Sequence, residues 1–453
     1  MNTKRSTIIA LALSACATLA LGQGKVLEQY LDEGVKSNLQ LQQEELQYQK
    51  SIENLQQARA LFMPHVAANF SYSVAEGGRK IQFPVGDLLN PVYNTLNQLT
   101  GSSSFPQVAN QSIQFLPNDF HDTKVRVIQP ILNPEIYFNY KAQQSLITVQ
   151  QAQRNAYENE LRYQIAAAYY QYLQSEDALV ILRRTGSTLA ELVRVNKTLV
   201  ANQKATSDAA LNAEYEQSKL EQQLTEAARN RDVARAWFNF LLNRDMQSDV
   251  IADTTMAATL RDTLDVQALT ELALAQRQEI RQVQAGVEAM QHLVSLNQRS
   301  AMLPHLAAVG DLGYQGFYYK FNSDQRYWLV QFSLSWDLFK GGEKKSKTAQ
   351  ARLDQQITEN KLAQLRHQIE LQVIQTYRER ASAKQSWATA RAGVRLAEKA
   401  FQITSARYRE GQALLLEFLD AQNRLTSARL NESVTLYELL RREAALQKTI
   451  AGI

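Results

Sequence analysis

All eight prolines of this 453-residue chain fall in or beside two zones: Pro64, Pro84, Pro91, Pro106, Pro117, Pro130 and Pro134 in the first, and Pro304 in the second. None lies in 135–303 or after 304. A proline inside a helix removes one backbone donor and costs about 3 kcal/mol, so both proline-free tracts are free to run as long helices. They also carry the helical period. Leu161, Ile165, Ala168, Tyr172, Ser175, Leu179 and Leu182 step by four and three, the 3.5-residue repeat of a coiled-coil seam. Ala, Gln, Glu, Leu and Arg dominate these tracts, and all are good helix formers. The stretch from Glu135 to Ala201 would reach roughly 100 Å at about 1.5 Å per residue. Lys344 to Glu410 predicts a second helix of similar length.

The proline zones read as strands. Between Arg326 and Phe339, Trp328, Val330, Phe332, Leu334, Trp336 and Leu338 alternate with mainly small polar residues. That period of two, large and apolar on one face, predicts a β-strand. Val66, Ala68, Phe70, Tyr72 and Val74 alternate in the same way, as do Leu306 to Tyr318 and, more weakly, Thr123 to Leu132. Each run is about ten residues, enough for a tilted strand to cross a membrane. Trp328, Trp336, Tyr314, Tyr318, Tyr319 and Tyr327 suit interfacial aromatic girdles. Four strands, read as two separated hairpins, are too few to close a sheet, and open edges are not viable in lipid. Closure therefore calls for strands from other subunits.

The two zones repeat one another. Met63-Pro64-His65-Val66-Ala67-Ala68 reappears as Leu303-Pro304-His305-Leu306-Ala307-Ala308, Gln129 to Asn133 lies on Trp336 to Lys340, and Lys141-Ala142-Gln143 lies on Thr348-Ala349-Gln350. A duplicated chain explains that order. The first copy is about 33 residues longer between its first two landmarks, and the surplus falls in Gly77 to Phe120, read as an inserted surface loop.

Lys4 and Arg5, the apolar run Thr7 to Leu21 and the small-x-small site Ala20-Leu21-Gly22 form a secretory signal over 1–22. The run is too short for a membrane helix, and no later stretch offers 18 consecutive apolar residues. Cys16 is the only cysteine, so no intrachain disulfide forms. Leu13-Ser14-Ala15-Cys16 fits a lipoprotein cleavage box; the plainer reading leaves Cys16 inside the discarded signal. A net charge of +4 with 21% charged residues gives no reason to expect nucleic acid. No Gly-rich phosphate loop or His-x-x-x-His spacing appears, so no enzyme, cofactor or metal chemistry is expected. His65, His121, His292, His305 and His367 are scattered; His65 and His305 take repeat-equivalent places where strands begin, as structural residues.

Over essentially its whole mature length the chain resembles the TolC-like outer-membrane efflux proteins. The residues that carry the resemblance are the two Pro-His strand starts, Trp336-Asp337-Leu338-Phe339-Lys340-Gly341-Gly342 at a strand-to-helix junction, Arg407-Tyr408-Arg409-Glu410-Gly411-Gln412, and Leu419-Asp420-Ala421-Gln422. The resemblance implies an α+β membrane protein of the bacterial outer membrane. Four strands per subunit would enter one shared transmembrane β-barrel in a homotrimer, continued by a long periplasmic α-helical coiled-coil tunnel. It divides the chain into a first repeat (23–244), an equatorial linker (245–266) and a second repeat (267–453). It implies an exit duct for efflux or secretion that docks a periplasmic adaptor protein and an inner-membrane transporter. The docking tips would be the helical turns at Gln203 and Lys204 and at Gly411, Gln412 and Leu414. The first turn carries Gln203 where the family has glycine, and Ala413 replaces an arginine. The implied periplasmic gate is Glu417 and Asp420, with Tyr408; the plainer reading makes the carboxylates two solvated helix charges. The alternative function is a soluble periplasmic coiled-coil adaptor or scaffold.

Overall fold

The computed structural model describes residues 25–253 and 265–450, so the signal segment with Cys16 and part of the proposed linker lie outside the described residues. In chain order the elements are α1 (Lys25–Ser37), α2 (Leu39–Ala60), β1 (His65–Ser73), β2 (Lys80–Phe83), α3 (Val85–Thr100), β3 (Gln111–Gln114), β4 (Phe120–Leu132), α4 (Pro134–Ala201), α5 (Ser207–Leu241), α6 (Val266–Gln276), α7 (Gln278–Met302), β5 (His305–Phe317), β6 (Arg326–Ser335), α8 (Glu343–Arg409) and α9 (Leu415–Thr449). The proline-free tracts become the 68-residue α4 and the 67-residue α8. Each is followed by a 35-residue helix. The chain divides into a helical unit (residues up to 53, 143–291 and from 353 on) and a strand-bearing unit (54–142 and 292–352).

In the helical unit, all seven residues of the predicted α4 stripe are buried, none more than 8% exposed. Leu161, Ile165 and Tyr169 pack with Leu27, Tyr30 and Leu31 of α1 and with Phe238 and Leu242 at the end of α5. Gly34 lets α1 approach α4, because a Cβ there would sit 2.2 Å from Ile165 Cδ1. The α1–α2 junction caps α5. Asn38 donates to the Leu241 carbonyl at 2.9 Å and Ser37 Oγ to that of Leu242 at 2.6 Å, satisfying carbonyls that a helix end leaves free. Tyr169 Oη donates to the Ile251 carbonyl and accepts from Asp253 N–H, both at 2.9 Å. Burial pushes this phenol up to about 12, so it stays protonated and able to donate. Farther along, Leu182, Leu189 and Leu192 of α4 pack with Ala213 and Leu220 of α5 and with Phe418 and Leu419 of α9.

In the strand-bearing unit, β1, β4, β5 and β6 form one antiparallel sheet in that order. Both expected hairpins form, β1 with β4 and β5 with β6, and they are not separate, because β4 pairs with β5. β4 and β5, far apart in sequence, pair from Phe120↔Phe317 to Leu132↔Leu306. The register sorts the faces. Phe70, Val125, Leu312, Trp328, Val330 and Phe332 fall on one face, and Asn69, Asp122, Lys124, Arg126, Asp311, Tyr327 and Gln331 on the other. The charges of the polar face are paired. Arg126 grips Asp311 with two bonds of 2.8 and 2.7 Å, Lys124 pairs with Asp122, and Tyr327 Oη donates to Asp122 at 3.0 Å. Opposite them, Phe70, Trp328 and Phe332 are 69–76% exposed, on a face that water alone would not favour.

The segment 77–120, expected as a loop, is folded. β2 and β3 pair antiparallel, and between them α3 closes on Gly101, whose φ of +59 is the left-handed turn that glycine permits.

Candidate functional site

The helical tips close on one geometry built from two different residues. After α8, Gly411 N–H donates to the Tyr408 carbonyl at 3.0 Å and Gln412 N–H to that of Arg407 at 2.8 Å. After α4, Gln203 N–H donates to the Val200 carbonyl at 2.9 Å and Lys204 N–H to that of Leu199 at 2.8 Å. Both central residues sit in the left-handed region, Gly411 at φ +73 and Gln203 at φ +54. Gln203 thus adopts the glycine conformation without being glycine, against a side-chain penalty of about 1–2 kcal/mol. Gln203→Gly should therefore raise the thermal midpoint of the folded protein slightly, a gain of about 0.5–1 kcal/mol after glycine's extra chain entropy. A lowered midpoint would mean that the Gln203 side chain itself holds the tip. Lys204 is exposed beside it. Leu414, 69% exposed, opens α9 with its N–H 3.4 Å from Glu417 Oε1.

The three residues expected at the gate do not form one cluster. Tyr408 Oη donates to Asn196 Oδ1 at 3.1 Å, tying α8 to α4. Its ring lies 5.1 Å from that of Phe418, which is 5.3 Å from Phe401. Glu417 lies 3.8 Å from Arg407, and Asp420 pairs with Arg424 at 2.9 Å. Each carboxylate therefore has an arginine of its own, and all four side chains are exposed. Arg407 was named only as part of the Arg407–Gln412 motif, and Asn196 and Arg424 were not singled out from sequence, since isolated polar residues in long polar helices carry no distinguishing pattern.

Polar layers also interrupt the apolar seam between α4 and α9. Tyr437 Oη donates to Asp177 at 2.9 Å, and Thr185 and Thr426 hydroxyls meet at 2.9 Å with Gln422 Nε2 3.1 Å from the latter. Burial raises the Asp177 carboxyl, and the Tyr437 bond partly offsets it.

These bonds order the helices. Glu176–Arg231 and Lys197–Glu214 join α4 to α5, the seam above joins α4 to α9, and Arg429–Glu398 and Arg442–Glu379 join α9 to α8. The row is α5–α4–α9–α8, with α5 and α8 at its ends. Both end helices carry exposed apolar stripes at helical spacing: Leu211, Tyr215, Val233, Trp237 and Phe240 on α5, and Leu353, Ile357, Leu371, Ile374, Leu396 and Ile403 on α8. Trp237 and Phe240 stack at 5.5 Å. The sheet likewise has two open edge strands, β1 and β6.

His65 and His305 begin β1 and β5 as expected. Among the described residues, no group of three His, Cys, Asp or Glu comes together to hold a metal ion. No described helix is long and apolar enough to cross a membrane.

Residues 269–452 match one family model. That family is the outer membrane efflux proteins. The match spans the Trp336–Gly342 and Arg407–Gln412 motifs on which the efflux-family resemblance was drawn, and members of this family are channel proteins rather than enzymes. No curated protein matches the chain in sequence. Solved structures do match in fold. The outer-membrane channel OprN is 17% identical with a TM-score of 0.76, covering 95% of this chain and 91% of its own. The CmeC outer membrane channel of Campylobacter jejuni is 15% identical with a TM-score of 0.76, covering 94% and 86%. The MtrE outer membrane channel of Neisseria gonorrhoeae, in an open state, is 18% identical with a TM-score of 0.74, covering 94% and 88%. The chain therefore shares the fold of these outer-membrane channels, and its residues 269–452 are similar to the outer membrane efflux protein family.

Proposed function

We propose that the chain is one subunit of a trimeric outer-membrane exit duct for efflux or secretion. The observation that carries this is the pair of open edges in each unit: β1 and β6 in the sheet, and the apolar faces of α5 and α8 in the helical row. A subunit with two different unsatisfied edges closes by head-to-tail assembly into a ring. β6 of one copy would pair with β1 of the next, and α8 with α5. The family resemblance supplies the count of three, hence three times four strands in one barrel. The apolar sheet face then meets lipid, with Trp328 and Tyr314 at the interfaces, and the paired charges of the polar face, with Tyr327 among them, line the lumen. The two repeats, the linker 245–266 and the helical tunnel follow the same plan. Such a duct needs no catalytic groups.

The tips at Gln203–Lys204 and Gly411–Leu414 would dock a periplasmic adaptor that links the duct to an inner-membrane transporter. Glu417 and Asp420, with Tyr408 fastening α8 to α4, would form the gate. A soluble adaptor or scaffold would share the coiled coil but leave the exposed Trp328–Phe332 face without a partner.

One experiment tests duct and tip together. Tagged protein should stay with the outer-membrane fraction through a high-salt wash and capture an adaptor on cross-linking. Gly411→Pro, which fixes φ near −65° in place of a positive value, should lose the adaptor and efflux while keeping the membrane location. Release of the unmutated protein into the salt wash would favour the soluble reading. Normal cross-linking of Gly411→Pro would remove Gly411 from the docking tip.

A further inference from the structure

The insertion between β1 and β4 holds a helix whose partners are reversed. In α3, Asp87, Asn90, Asn94 and Asn97 step by three, four and three along one face. The chain's own return segment, Phe105 to Asn110, takes that polar face. Asn90 exchanges two bonds with the Val108 backbone at 3.0 and 2.8 Å, and Asn97 two with Phe105 at 2.8 and 3.1 Å. Gln107 reaches Asn94 at 2.6 Å and Asn110 reaches Asp87 at 3.0 Å. The apolar face is left over. Val85, Leu89, Val92, Leu96 and Leu99 step by four, three, four and three, and Leu89, Val92 and Leu99 are 36, 52 and 78% exposed. Chain connectivity puts this helix beyond Ser73 and Phe120, at the end of the sheet opposite His65 and Ile128.

We propose that the α3 helices of the three copies join through this stripe as a short parallel coiled coil that covers the outer mouth of the duct. The inference rests on the trimeric reading above. With Leu88, 69% exposed, beside Leu89, the four-three repeat widens to the a, d and g face by which a helix packs into a bundle. A helix that lies on a membrane carries Lys and Arg on its polar side; α3 has Asp87 as its one charge, and its polar side is occupied. The register sets Leu89 and Leu96 at a and Val85, Val92 and Leu99 at d. Leucine at a with β-branched valine at two of the three d positions disfavours two strands and suits three or more. Two heptads would be marginal as free peptides, but a shared barrel holds the three copies at a high effective concentration. Cargo then leaves only when the three helices part.

Cys16 is the only cysteine, and whether it leaves with the signal or is acylated it offers no free thiol, so single cysteines report cleanly. Val92→Cys, at the seam, is compared with Gln98→Cys on the exposed outer side, each as detergent-extracted protein under mild oxidation. Val92→Cys should give at least tenfold more disulfide-linked dimer than Gln98→Cys. In oxidised cells it should also slow release of an efflux dye several-fold, with recovery on reduction. An intact trimer by native mass with equal, low cross-linking at both sites would overturn the coiled coil and leave the trimer standing. Cross-linking without any change in dye release would overturn the cover. Absence of a trimer would overturn both this inference and the reading it rests on.

Discussion

Replacing Glu417 and Asp420 together with alanine is expected to raise the conductance of the channel in planar bilayers and to move its ion preference from cations toward anions. Under threefold symmetry the two carboxylates of each copy would surround the narrowest part of the tunnel, where a ring of charged side chains sets selectivity. The family resemblance implied an acidic gate at these two positions. The arginines refine this: Arg407 lies 3.8 Å from Glu417 and Arg424 2.9 Å from Asp420. Removing both acids leaves two unpaired guanidinium groups per subunit, six per trimer, so the preference should shift beyond neutrality. Stability should change little, because exposed ion pairs contribute at most about 1 kcal/mol. The shift should be large at 0.1 M salt, where the screening length is about 10 Å, and small at 1 M, where it is about 3 Å. Unchanged conductance and selectivity at low salt would mean that these carboxylates face outward as ordinary helix charges.

Phe238→Ala and Trp237→Glu, neighbours in sequence, should fail in opposite ways. Phe238 is fully buried, 5.0 Å from the Tyr30 ring and 5.5 Å from Tyr169. Its truncation should cost about 3–5 kcal/mol and lower the melting transition of the helical signal sharply. Trp237 is half exposed on the α5 edge, so glutamate there should alter the fold of one chain by no more than about 0.5 kcal/mol. In an assembled ring it would bury an unpaired charge between copies, and trimer yield should collapse. Normal trimer from Trp237→Glu would remove the α5 edge from the subunit interface. An unchanged melt for Phe238→Ala would contradict the core described for α1, α4 and α5.

The features legible in the sequence were those written as a period. The α4 stripe, the alternating strands and the missing prolines depend only on local spacing. The joining of the two hairpins was not legible, because β4 and β5 meet across a long stretch of intervening helix and nothing local announces the pairing. Helix α3 was hidden by its composition. Pro91 and the asparagines of 85–100 read as loop residues, whereas here the asparagines serve as a ladder for the returning segment 105–110. At the candidate site, Tyr408 and Gly411 stood out through motif resemblance. The partner of the tyrosine, Asn196, depends on tertiary placement, and the left-handed backbone of Gln203 at the other turn was not foreseen. Gln203 shows the limit most plainly, since the residue type argued against a conformation that the helical hairpin nevertheless imposes.

The shared barrel is tested most directly by the native mass of the detergent-extracted protein, measured alongside its β-sheet circular dichroism. Four strands with open β1 and β6 edges predict a species of three chains that keeps its β signal and loses it when dissociated. A stable single chain with an undiminished β signal would contradict the account.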